Sequence, residues 1–191
     1  MTIEGALEAP LFSSDPSDAD IAEFRAWVRE AGRALYRDLP WRNTRDAYAI
    51  WISEAMLQQT QVARVLSRWE RFLRHFPTVD ALASASSADV VEEWQGLGYN
   101  RRALALKRAA DMCSAEYAGR MPEGVNELVK LPGIGDATAA GITAFSRDVP
   151  CLYLETNVRA VFIHCFFRDA ERVTDKELRP LVERACPAED V

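Results

Sequence analysis

The sequence predicts an all-α protein, and three observations carry that prediction. Apolar residues recur at helical spacing through most of the chain, no stretch sustains strand alternation, and Pro, Gly and Ser clusters cut the chain into helix-length segments. No internal repeat of fixed period is present.

The elements follow in order. Residues 18–35, DADIAEFRAWVREAGRAL, place Ile21, Phe24, Trp27, Val28, Ala31 and Leu35 on one helical face, with Asp18 or Asp20 as N-cap. Pro40 in RDLPWRNTRD ends this helix. DAYAIWISEAMLQQTQVARVL reads as a single helix with a bend at Gln58–Thr60, continuing or restarting through SRWERFLRHF. TVDALASASSADVVEEWQGL gives two short helices around a Ser-rich turn, and GLGYN is a loop. RRALALKRAADMCSAEYAG is a periodic helix with Gly119 as C-cap. PEGVNELVKL is a short helix, PGIG a turn, and ATAAGITAFS the next helix; VPCLYL passes for a strand. TNVRAVFIHCFF and DKELRPLVERAC complete the set.

A net charge of −6 taken alone argues against an anionic partner, but its distribution does not. Residues 1–23 hold Glu4, Glu8, Asp15, Asp18, Asp20 and Glu23 with no Lys or Arg, so the remaining residues balance at 23 basic and 23 acidic groups. Residues 1–20 are expected to be an acidic mobile tail. A neutral body can present a basic face, so total charge does not decide the partner. Four cysteines without a C-x-x-C pair fit reduced thiols better than a disulfide framework or a zinc site, and no metal ligands are expected. The chain has no apolar run of the ~18 residues needed to cross a bilayer and no basic n-region ahead of an apolar stretch, so a cytoplasmic monomer is expected, nucleoid-associated in a bacterium.

Three stretches carry candidate chemistry. In NELVKLPGIGDATAAGITAF, Gly133 and Gly135 permit positive φ and leave backbone N–H groups uncovered at a helix N-terminus, which suits a phosphate; Asp136 stands where it would cap that helix. The same letters equally describe a tight turn between packed helices. In WISEAMLQQTQV, Glu54 sits among Ile50, Trp51, Ile52, Ala55, Met56 and Leu57. It is either a buried carboxyl of raised pKa or a member of a solvent face with Gln58 and Gln61. In LETNVRAV, Glu155 and Asn157 open a helix, where an acid is favoured by the dipole as a plain cap.

Taken together, RDLPWR, SEAMLQQTQV, WQGLGY, LPGIG and LETNVRAV resemble the helix-hairpin-helix DNA glycosylase superfamily, most closely its MutY-type adenine glycosylases. The resemblance covers roughly residues 22–187 and implies an endonuclease III-like fold of two helical lobes with the cleft between them. One is a six-helix barrel lobe at about 45–150; the second is built from 21–44 plus 151–191 and is incomplete, family parts being expected beyond it. It implies a monofunctional N-glycosylase of base excision repair acting on double-stranded DNA at adenine mispaired with guanine or 8-oxoguanine. Mismatch uracil or thymine release, or a non-catalytic damage-sensing module, are the alternatives.

By the resemblance, Glu54 protonates the adenine and Glu155 stabilises the sugar cation. Arg37, Leu39, Trp41 and Arg42 line the base pocket. Gln58, Gln59 and Tyr99 enter the base stack, and Gly133, Ile134, Gly135 and Asn157 hold the DNA. Arg64, Arg68, Arg71 and Lys107 are lesser backbone candidates. The family residue at Glu155 is Asp, one methylene or roughly 1.5 Å shorter. Bifunctional members carry a nucleophilic Lys where this chain has Ala137, so lyase activity is not expected. No cofactor is expected from these residues; a 4Fe–4S cluster would need four family cysteines beyond residue 191.

Overall fold

Ten α-helices and one 3-10 turn make up the regular structure of residues 8–186, the part that the computed structural model describes, and no strand appears among them. In chain order these are α1 (Asp18–Ala34), the 3-10 turn (Pro40–Arg42), α2 (Ala47–Leu57), α3 (Val62–His75), α4 (Val79–Ser84), α5 (Ser87–Glu93), α6 (Arg101–Glu116), α7 (Val125–Leu128), α8 (Asp136–Arg147), α9 (Thr156–Phe166) and α10 (Asp175–Ala185). The chain divides into two units, Leu39–Cys151 and Met1–Asp38 with Leu152–Val191.

The Leu39–Cys151 unit is organised around α2. This helix is apolar on almost every side, and Ile50, Trp51, Ile52 and Met56 are at most 2% exposed. A helix of that kind must be covered all round; α3 and α8 pack against it, while α4 and α5 pack on α6. Its two polar exceptions are treated differently. Ser53 is buried and donates its hydroxyl to Ile50 O at 2.7 Å, whereas Glu54 is half-buried. The 46–66 stretch, expected as one bent helix, is two helices. Gln59 adopts φ +53° and Thr60 N–H turns back to Leu57 O at 3.2 Å, so the α2 ladder stops. VPCLYL forms no strand, and α6 ends at Glu116, ahead of the expected Gly119 cap, with the Gly119 N–H returning to Cys113 O at 3.0 Å.

The other unit packs α1 and α9 against α10 over a core of Phe24, Phe162, Phe166, Leu178 and Val182. The N-cap of α1 is Ser17, not Asp18 or Asp20. Ser17 Oγ accepts from Asp20 N–H, and the Asp20 carboxylate accepts from Ser17 N–H at 2.8 Å, a reciprocal box that needs the shorter hydroxyl at the cap. The expected 1–20 tail is also corrected over its described part. Phe12 stacks on Phe166 at 5.3 Å and donates its N–H to Cys165 O at 2.7 Å, and Arg184 donates to Pro16 O and Asp18. An aromatic anchor and a paired arginine fix this segment although its composition reads as unstructured. Residues 1–7 of the expected tail lie outside the described residues.

A half-buried ion pair ties α3 to α5. Arg71 Nη2 donates to Glu93 Oε1 at 2.8 Å; Nε approaches Oε2 at 2.7 Å, too bent to serve as a donor, and His75 stands 3.6 Å from Oε1. The Arg71 hydrogen bond, outweighing desolvation, holds the Glu93 carboxyl below its ordinary range. A lowered pKa stabilises the fold above the unfolded-state value, and the effect is lost as pH falls through the folded value. Glu93→Gln should therefore cost about 1–2 kcal/mol near neutral pH, with half-exposed Arg71 screening the pair. The difference from the parent should shrink once pH falls below the ordinary Glu value of about 4.3 and be gone only when the lowered folded-state value is passed, measured by urea unfolding across pH.

Candidate functional site

The hairpin is fastened from below and open above. Leu131 and Ile134 are buried in the core of the Leu39–Cys151 unit, and Ile134 N–H is used within the turn, on Leu131 O at 3.2 Å. Ile134, expected among the DNA-holding residues, thus serves as the anchor of the turn and not as its outward face. Its two glycines do different work. Gly133 has φ +82°, and a Cβ there would stand 2.8 Å from the Ala105 Cβ on α6. Gly135 is the N-cap of α8 with ordinary φ −93°, so of the two glycines that permit positive φ only Gly133 uses it. Nothing lies within 4 Å of where its Cβ would be. Asp136 is the first residue of α8, and no side chain caps the helix. The first-turn N–H groups of an α-helix have no intrahelical partner, so α8 presents uncovered amides beside an open glycine, an arrangement suited to an anion.

Two loops of the same unit carry the expected wedge residues. Gln58 and Gln59 follow α2, both exposed, and Gln58 Nε2 reaches Thr138 Oγ1 on α8 at 3.4 Å. Tyr99 is 54% exposed with φ +50°, rare for an aromatic residue, next to Gly98 at φ +73°. Arg101 and Arg102 each hold a guanidinium carbon 5.6 Å from the Tyr99 ring centre. Glu54 lies one turn before Gln58 on α2, the only charged side chain of that helix.

Of the expected base-pocket residues, Leu39 and Trp41 are core residues, 7% and 8% exposed. Trp41 sits edge-to-face with Trp69 at 6.0 Å, so both are spent on packing. Arg42 is exposed in the same unit, and Arg37 is exposed in the other. Arg71 is committed to Glu93, and Lys107 to Ala83 O and Asp111, which removes both from the backbone-contact candidates. Arg64 is exposed, and the Arg68 guanidinium lies against Gly96.

In the Met1–Asp38 and Leu152–Val191 unit, Glu155 is the N-cap of α9. Its Oε1 accepts from Asn157 N–H at 2.8 Å and Val158 N–H at 3.0 Å, and Oε2 from Asn157 Nδ2 at 3.3 Å. Asn157 is thereby the residue that orients the carboxylate from both its backbone and its side chain. Cys113 and Cys165 are buried singly in different cores, and among the described residues no group of three His, Cys, Asp or Glu is placed to hold a metal. No helix among the described residues is long and apolar enough to cross a membrane.

A family model described as HhH-GPD superfamily base excision DNA repair protein matches residues 52–188. Similar proteins include the adenine DNA glycosylases of Mycolicibacterium smegmatis (42% identical over 140 residues, 73% of this chain and 46% of that protein) and Mus musculus (39% over 152 residues, 75% and 30%). That of Buchnera aphidicola from Baizongia pistaciae is 35% identical over 140 residues, covering 73% and 39%. A thermostable thymine-DNA glycosylase shares the fold at TM-score 0.83 and 24% identity over 91% of this chain and 82% of that one. Endonuclease III in a non-covalent DNA complex does so at 0.77 and 19%, over 92% and 81%. The chain belongs to the HhH-GPD superfamily of base excision DNA repair proteins. It spans less than half the length of the curated relatives it matches.

The two glycines differ in what they cost the fold. Gly133→Ala should destabilise by about 1–2 kcal/mol, from positive φ and the Ala105 contact together. Gly135→Ala should cost about 1 kcal/mol or less. Thermal melts of both variants against the parent check the order; equal losses would remove the Ala105 contact from the account.

Proposed function

We propose that this chain hydrolyses the N-glycosidic bond of adenine mispaired with guanine or 8-oxoguanine in duplex DNA. The observation that carries the reading is Glu54: the one charged side chain of an otherwise apolar, buried helix, half-buried and one turn from exposed Gln58 and Gln59. The adenine glycosylase relatives support the choice of base.

N-glycoside cleavage requires the leaving base to be protonated and the sugar cation to be stabilised, the division of labour that two carboxyl groups provide in O-glycoside hydrolysis. The target adenine leaves the stack at a cost of a few kcal/mol, less at a mismatch. The Glu54 carboxyl gives its proton to a ring nitrogen as the C1′–N bond breaks, and adenine departs neutral. To the Glu155 carboxylate, held at the α9 N-terminus, falls the stabilisation of the positive charge that develops at C1′. Water adds to C1′ and releases a proton, leaving an abasic site. The α8 amides hold a backbone phosphate and set register without reading sequence. Position 137 is Ala, and Lys130, the nearby amine, is paired with Glu127 at 2.6 Å. With no free amine at that place, no Schiff base forms, and strand cleavage is not part of the reaction.

The test incubates the protein with A·8-oxoG, A·G, T·G and U·G duplexes and compares strand breaks with and without alkali. Adenine-specific breaks appearing only after alkali are expected. Glu54→Gln should reduce them by about 10²–10⁴-fold. Undiminished breaks in Glu54→Gln would sink the acid role, and release of thymine or uracil instead would reassign the substrate.

A further inference from the structure

Arg102 donates to six oxygens, which lie in the last turn of α2, in the loop after it and in the loop ahead of α6. Nη1 donates to Ala55 O at 2.8 Å, Met56 O at 3.2 Å and Gln58 O at 2.5 Å. Nη2 donates to Thr60 Oγ1 at 3.1 Å, Leu97 O at 3.0 Å and Gly98 O at 3.1 Å. The guanidinium carbon stands 5.5 Å from the centre of the fully buried Trp94 ring, whose Nε1 also donates to Gly98 O at 3.2 Å. Ala55 and Met56 belong to the last turn of α2, where carbonyls lack intrahelical partners and the dipole favours a cation. Arg102 therefore caps α2 from another helix and, with its other nitrogen, fixes the loop ahead of α6.

This placement works against local preference. Arg101 and Arg102 open α6, whose N-terminus disfavours positive charge. Both loops also hold backbone that ordinary residues avoid, φ +53° at Gln59 and +50° at Tyr99. Strained segments persist only where their surroundings over-determine them, and here one planar fork reaches both. Lysine, a point charge with three donors, cannot span the same carbonyls.

We propose that Arg102 is a positioning residue that locks the Gln58–Thr60 and Leu97–Tyr99 loops into one rigid wedge, so that Gln58, Gln59 and Tyr99 enter a base stack as a unit; this rests on the DNA glycosylase reading above. The lock itself is tested without DNA. In Arg102→Lys, hydrogen exchange should speed by about ten-fold in peptides covering both 55–61 and 94–100, with the core of α6 unchanged, because charge-assisted bonds are lost at both loops together. Faster exchange in one loop only, or in neither, overturns the proposal. If Arg102→Lys does not fold, Thr60→Val removes one acceptor and should give a smaller rise in both loops; no rise overturns it equally.

The wedge is tested with 2-aminopurine beside an A·8-oxoG mismatch. Arg102→Lys should lose about ten-fold of the fluorescence rise that reports unstacking while binding undamaged duplex within about two-fold of the parent. A parental rise in a variant with both loops loosened overturns the positioning role. A parent that itself opens no mismatch, with the exchange result intact, places the failure in the glycosylase reading and removes the wedge with it.

Discussion

A helix that is apolar on every side is easy to bury and hard to end. The carbonyls of its last turn need donors, and burial keeps water from supplying them. In α2 that need is met by one guanidinium from α6, which gives three hydrogen bonds to the stretch Ala55–Gln58. Hydrogen bonds to a charged group contribute about 1.5–3 kcal/mol, so the two N–H groups of Nη1, shared among three part-buried to exposed carbonyls, outweigh two arginines at a helix N-terminus, where the penalty is about 1 kcal/mol. The desolvation that lowers the Arg102 pKa is the cost of the arrangement, offset by six oxygen partners. Because α2 ends in a fixed place, Glu54 and the loop behind it are fixed as well. Functional side chains on a packed helix are held more closely than on a free loop.

A chain of net charge −6 in a DNA repair superfamily looks paradoxical only if phosphate recognition is assigned to lysine and arginine. The α8 N-terminus offers amide hydrogens and a helix dipole, neither of which enters the formal charge. The two glycines of the hairpin divide the work of shaping it. One gives the φ and the clearance over Ala105 that bring the turn down onto α6; the other leaves open the space over the amides. Three basic side chains of the same unit are used within it: Arg102 on carbonyls, Arg71 on Glu93, Lys107 on Asp111.

The helices were legible because their signals are local. Periodicity placed α1, α6, α8, α9 and α10 within a few residues, and the Pro-Gly turn marked the hairpin. What was hidden depends on partners distant in sequence. Arg102 stands in a stretch that reads as a helix start, and its acceptors lie 42 to 47 residues earlier as well as beside it. No periodicity records a bond from a side chain to remote carbonyls. Two adjacent arginines opening a helix against its dipole were the one available hint. Leu39 and Trp41 were assigned to a pocket where the structure uses them as core, a distinction that depends on Trp69 facing Trp41 from α3. The docking of Phe12 was invisible for the same reason: a single aromatic in an acidic, Pro-containing segment carries no pattern.

Glu155 shows how a substitution that looks like a change of reach becomes a change of shape. Asp is among the preferred N-cap residues because its short chain puts an oxygen on the second and third helical amides. Glu155 finds the same two amides, of Asn157 and Val158, at 2.8 and 3.0 Å. For a longer side chain to do so, its additional methylene has to be taken up by folding back over the helix start. The charge is then located by the amides and the α9 dipole, not by chain length. The extra carbon displaces the methylenes, while the carboxylate stays at the helix N-terminus. A second oxygen is held by the Asn157 side chain at 3.3 Å, which narrows the directions the group can face. Preorganised charge of this kind stabilises a developing cation without reorganisation at the moment of reaction. Glu in the family's Asp position is therefore compatible with the role assigned to it, provided Asn157 and the α9 amides keep their hold.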